Sequence, residues 1–191
     1  MLWLSVAPFV ARSAGVMRSA LTVAVAVTCA VACGTSDIQD PVVSTPALSA
    51  PTGFERRIGV ADGGGNQPVS MCLWVADTPQ TRSTGMMGAS TFGEADAMVF
   101  VADAPTTGKF WMWNTSMDLS IAFYNRSGAF LDAFDMAVCN SADPDGCPRY
   151  DTPVGYSTAI ETAVGDLERL GLVPGSTFTL TDRACSSASS P

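Results

Sequence analysis

The stretch Leu119–Val138, LSIAFYNRSGAFLDAFDMAV, decides the fold. Two apolar runs, Leu119 to Tyr124 and Ala129 to Val138, are separated by Asn125-Arg126-Ser127-Gly128, a turn sequence that reads as a β-hairpin. Working outward, the same grammar recurs. Gln67 to Ala76 is an apolar run bounded by glycines and by Asp77-Thr78-Pro79, and reads as a buried strand. Ala97 to Val101, Phe110 to Trp113, Thr158 to Val164 and Thr177 to Thr181 are further strands. Thr78 and Pro79 supply an N-cap and first position for a short helix ending near Gly85. Asp166 to Leu170 reads as a second, with Gly171 just past its end. Many short strands with one or two short helices predict a mainly β domain, a β-sandwich or barrel.

The N-terminus has the pattern of an export signal. Leu21 to Ala32 is apolar, follows Arg18 and precedes Cys33; it is short of the ~20 residues a membrane crossing needs. Ala30-Val31-Ala32-Cys33 resembles a bacterial lipobox, although leucine is usual where Ala30 stands. The expectation is a signal peptide over 1–33 with Cys33 lipidated, plain secretion or an uncleaved anchor being the alternatives. Met17-Arg18-Ser19 would make a more compact signal, so the first 16 residues read as a misassigned start. Residues 34–53 are rich in Pro, Ser and Thr without hydrophobic period, as in a flexible linker. The domain is expected over 54–185 and a disordered tail over 186–191.

Charge narrows the partners. The chain carries 10 basic and 18 acidic residues, net −8. Loss of the leader removes Arg12 and Arg18, leaving 8 against 18, or −10. Such a balance repels phosphate backbones, so nucleic acid is not an expected partner. There is no histidine, which excludes Ser-His-Asp and Cys-His nucleophile systems and imidazole zinc sites. The single lysine, Lys109, reads as a solvated strand end. Cys72, Cys139, Cys147 and Cys185 form an even set, as disulfides in an exported chain require. Asp143-Pro144-Asp145-Gly146 would turn Cys139 towards Cys147, leaving Cys72 for Cys185. Short Cys-x2-Cys spacing, the mark of a thiolate zinc site, is missing.

Three ordered patches carry a family resemblance. They are Arg82-Ser83-Thr84-Gly85-Met86-Met87, then Ala97-Met98-Val99-Phe100 with Phe110-Trp111-Met112-Trp113-Asn114-Thr115, then Cys147-Pro148-Arg149-Tyr150 with Ala159-Ile160-Glu161 and Gly165. Together, over about Pro68 to Leu180, the chain resembles the DUF192 family of small extracytoplasmic domains. The resemblance implies a compact jelly-roll-like β-sandwich and brings no agreed activity. Asp118 stands where the family usually has proline, and Ser120 where it commonly has aspartate.

The resemblance singles out Arg82, Asn114 and Glu161. Glu161 lies within an apolar strand, where an unpaired charge is costly, and Arg82 is a natural partner for a structural ion pair. The sharper reading is an anion or carbohydrate pocket using Arg82, Asn114 and the ring of Trp111, with Glu161 a further pocket candidate. Trp111 and Trp113 alternate in one strand and are expected to share a face, either as a stacking platform or as core. Glu161 with Asp118 or Asp135 would give the carboxylate pair of an envelope-acting hydrolase. Met86, Met87, Met98 and Met112 are thioethers of the kind Cu(I) accepts, or ordinary core filling. The reading that results is a lipid-anchored extracytoplasmic binding or accessory domain, non-catalytic and without cofactor. Its partners would be the membrane through the lipid and a small polar ligand, cell-wall glycan or envelope protein.

Overall fold

The computed structural model describes residues 48–63 and 66–186. The export segment over 1–33, most of the linker and the tail beyond 186 lie outside the described residues. The domain is mainly β, as expected. Its strands are β1 (Glu55–Gly63), β2 (Asn66–Ala76), β3 (Ala97–Thr106), β4 (Lys109–Trp111), β5 (Leu119–Tyr124), β6 (Phe130–Met136), β7 (Arg149–Asp151), β8 (Tyr156–Ala163) and β9 (Ser176–Ala184), with one helix, α1 (Pro79–Thr84). Seven strands form one mixed sheet in the order β6-β5-β8-β3-β2-β1-β9, while β4 and β7 form a separate two-stranded ribbon.

The hairpin that anchored the reading is β5–β6, in register from Leu119↔Met136 to Ala122↔Ala133 and on to Tyr124↔Phe130. Its turn works through Asn125, whose Oδ1 accepts from Ser127 N at 2.9 Å and Ala129 N at 3.0 Å. Gly128 closes the turn at φ 80°. Every residue of β5 is buried. The reason is alternation between two cores. Leu119, Ile121 and Phe123 enter one cluster with Met98, Phe100 and Ala159, whereas Ala122 and Tyr124 enter the other with Val99, Ile160 and Phe178. A strand covered on both faces shows a continuous apolar run rather than an alternating one.

β2 and β3 run parallel, with Leu73↔Ala97 and Val75↔Val99 in register. A parallel neighbour needs a crossover, which α1 and the loop after it supply. Thr78 caps α1 through a reciprocal box with Thr81, and Pro79 occupies the first turn. The sheet curls until its two ends meet at one isolated bridge, Ala129↔Thr177, where Phe178 N donates to Gly128 O at 2.8 Å. Contact at one point leaves the architecture sandwich-like rather than a closed barrel.

Two details differ from the reading of the sequence. Asp166 to Leu170 is a turn, not a helix. Leu170 N does donate to Asp166 O, but Gly171 N then reaches Glu168 O and Leu172 N reaches Leu167 O, so the turn tightens and stops. The strand β1 and the short strand β7 had no sequence counterpart. A 3-10 turn over Pro144–Gly146 completes the helical content.

Disulfides join Cys72 to Cys185 and Cys139 to Cys147. Among the described residues no helix is long and apolar enough to cross a membrane.

Candidate functional site

Between the outer face of β3 and β8 and the cover made by α1 and β4 lies a cleft of about 590 Å³. One wall is the stretch from Arg82 to Met87, at and beyond the end of α1. The opposite wall is Lys109 to Trp111 of β4. The floor carries Phe100, Tyr156 and Glu161. β3 forms the far end where its register with β8 breaks between Val101 and Thr106, bulging Asp103 and its neighbours towards the rim.

Glu161 is the chemically unusual residue. It is only 4% exposed, and its cross-strand neighbours are Met98 on β3 and Ile121 on β5. Ile121 has no hydrogen-bonding side chain and Met98 offers only a weakly accepting thioether, and Glu161 has no ion pair or hydrogen bond with any described residue. Burial pushes its pKa up to about 8, so the side chain is a neutral carboxylic acid at pH 7.

The expected ion pair between Arg82 and Glu161 does not form. Arg82 donates instead to Asp77 O at 2.7 Å, to Val101 O at 2.8 Å and to Asp103 Oδ2 at 3.1 Å. The physical cause is the bulge. Register with β8 is lost just past Val101, so Asp103 comes alongside the Val101 carbonyl, and a guanidinium at the end of α1 reaches both. Arg82 therefore braces the cleft's rim rather than neutralising its floor. Tyr156 also lines the cleft, where burial raises its phenol pKa and the nearby Arg82 charge partly opposes the rise.

The aromatic pair divides. Trp111 ends β4 and lines the cleft, with the Arg149 guanidinium 3.6 Å over its ring. Trp113 lies beyond the strand, 6.5 Å from Trp111 between centroids and tilted by 32°, and faces a separate shallow depression together with Asn114. Asn114 is in the left-handed region at φ 54°, and its carbonyl accepts from Gly88 N at 2.8 Å. Its part is to turn the chain under the Gly88 loop, a conformation asparagine tolerates better than most residues. Arg82, Trp111 and Glu161 thus converge on one cleft; Trp113 and Asn114 do not.

The other acids and the methionines are also placed. Asp118 accepts from Val138 N at 2.6 Å and Asp135 from Ser120 Oγ, and neither lines the cleft. The acid that shares the cleft with Glu161 is Asp103. Met98 and Met112 are fully buried among Phe100, Leu119 and Ile121, while Met86 and Met87 reach the cleft wall. Among the described residues no three His, Cys, Asp or Glu side chains cluster as a metal site.

Asp103, Phe100, Phe110 and Tyr156 are site residues that the sequence reading did not single out. Phe110 had a visible signal in the aromatic run around Trp111. Asp103 had none, because its place depends on a bulge that no local pattern announces.

A mixed, curled β-sheet with a ribbon and short helix roofing a ligand-sized cleft defines a small β-rich domain with a pocket under its cover. The chain belongs to the DUF192 family (Uncharacterized ACR), whose model matches residues 59–180. Two solved structures share the fold. One, from Sinorhizobium meliloti and provisionally described as a transcription regulator, has 19% identity and TM-score 0.58, over 70% of this chain and 98% of its own. The other, a protein of unknown function from Novosphingobium aromaticivorans, has 21% identity and TM-score 0.56, over 72% of this chain and 94% of its own. Comparison with curated proteins finds no match.

Proposed function

We propose that this chain is a lipid-anchored extracytoplasmic domain that binds a small polar ligand in the cleft and does so without catalysis. One observation carries the reading: the cleft is floored by a largely buried carboxyl group that has no ion pair or hydrogen bond with another described residue. A carboxyl group so placed at the base of an open cavity fits a partner supplied from outside. The cleft's volume, about 590 Å³, falls among small-molecule pockets, which favours a compact ligand over an envelope protein. The anchor rests on the leader and Cys33, and the disulfides fit an oxidising compartment.

Native mass spectrometry of the full-length protein extracted from membranes tests the binding. An organic adduct is expected on the native chain and not on Ala104→Trp, a change at an exposed rim position that blocks the cleft without entering the core. A bare mass that takes up nothing from an envelope extract would count against the reading, and a copper adduct would move it to the methionines. Cys33→Ser is expected to release the protein from the membrane fraction. Retention of that variant would remove the lipid anchor.

A further inference from the structure

Each cation at the cleft's rim has its own carboxylate partner, whereas the floor carboxyl group has none among the described residues. Arg82, facing in from α1, is ion-paired with Asp103 on the β3 bulge at 3.1 Å. Lys109, from β4, is ion-paired with Asp151 on β7. Both rim cations thus have a carboxylate partner of their own in exposed ion pairs. Tyr156, the remaining titratable side chain on the floor, is neutral at physiological pH as any phenol is, and burial raises its pKa further. On the sheet itself Glu161 meets only Met98 and Ile121. Nothing described balances its charge once ionised.

The walls add a second preference. Phe110 meets Phe100 edge-on at 5.3 Å and Tyr156 at 6.4 Å, so the approach to Glu161 runs past clustered aromatic rings. Ring faces attract cations, most strongly where water is excluded, and they also accept an alkyl chain. A carboxylate at the end of such a passage calls for a compact cation that donates hydrogen bonds. A primary ammonium does so and a quaternary one does not.

We infer that the cleft selects ligands bearing a primary ammonium group, seated on the Glu161 carboxylate and flanked by the aromatic walls. This rests on the cleft being a binding site, and it specifies the chemistry. The step balances simply. In the empty cleft Glu161 holds its proton; when an alkylammonium enters already charged, the carboxyl group releases that proton to solvent and the ion pair forms. One positive charge enters and one leaves, so the buried floor stays neutral overall.

The test uses full-length protein in detergent micelles and three probes of equal length: pentylamine, pentan-1-ol and pentanoate. Titration calorimetry at pH 7 should show the amine binding at least about tenfold more tightly than either other probe. Repeating it in buffers of different ionisation enthalpy should show release of close to one proton per amine. With the acid titrating at about 8, affinity should rise about tenfold per pH unit below that value and level off above it. Glu161→Gln should lose the proton release, the pH dependence and the preference for the amine. Should that variant fail to fold, Ala104→Trp must abolish the same proton release with Glu161 intact. Pentanol or pentanoate binding as tightly as the amine would overturn the ammonium inference and leave the cleft a binding site. Silence from all three, by calorimetry and by ligand-observed NMR, would overturn both.

Discussion

Glu161 brings together two opposing demands: its strand needs an apolar side chain facing the cover, and the cleft places a carboxyl group there. Folding resolves the conflict by keeping the proton on. An unfolded glutamate releases its proton near 4.5, whereas the folded one holds it to about 8. Between those values the native state binds more protons than the unfolded state, so stability declines as pH rises through that window. Glu161→Gln is expected to match the native chain near pH 4.5 and to exceed it above pH 8. The gain is on the order of 4 kcal/mol, at about 1.4 kcal/mol per pKa unit; urea titrations at both pH values measure it. A variant no more stable at pH 9 than at pH 5, relative to the parent, would show that the acid is not desolvated. At this scale the sequence was half legible. A charge inside the run Ser157 to Ala163 announces itself, but its lack of a partner does not. That lack follows from Arg82 being drawn to Val101 O and to Asp103, which sits where β3 loses register with β8.

Elements were legible in proportion to the size of their buried side chains. β5 and β3 show as apolar runs because both faces are covered by Leu, Ile, Met, Phe and Val. The β5–β6 turn shows because Asn125 and Gly128 have turn chemistry of their own. β1 does not, since its buried positions are Gly59 and Ala61, and small residues leave no hydrophobic signal. Their smallness is structural. A methyl group on Gly59 would lie 2.5 Å from Leu73 Cδ1 and 2.7 Å from Phe178 Cε2. Gly59→Ala is therefore expected to destabilise the domain by overpacking, by about 1–3 kcal/mol. Thermal or chemical denaturation gives the value, and a neutral result would mean that the packing of β1 between β2 and β9 is looser than described.

Over the whole molecule, the curl of the sheet is stapled covalently. Cys72–Cys185 closes a loop of sequence separation 113, and Cys139–Cys147 one of separation 8. On the chain-entropy account, removing the first as a Cys72→Ala/Cys185→Ala pair should cost roughly 4–5 kcal/mol and removing the second about 2.5 kcal/mol. Denaturation of the two paired variants under oxidising conditions compares them directly. Equal losses would mean that the long loop is already restricted in the unfolded chain. Apolar runs, turn residues and the cysteine count were enough to anticipate a β-rich, disulfide-bonded domain. The cleft was not readable, because its walls come from α1, β4 and β8, which only the closed fold brings together.

The long disulfide also has a mechanical meaning. β1 lies between β2 and β9, and the Cys72–Cys185 bond links the strands on either side of it. Cys72 lies opposite Ile58, and Cys185 N donates to Arg56 O, so the clasp sits at the end where the chain enters β1. A pull along β1 from its N-terminal side would load antiparallel hydrogen bonds on both flanks at once, in shear rather than one by one. The strap keeps the two flanks from parting under that load. The strand through which force would enter is thus the one the domain grips hardest.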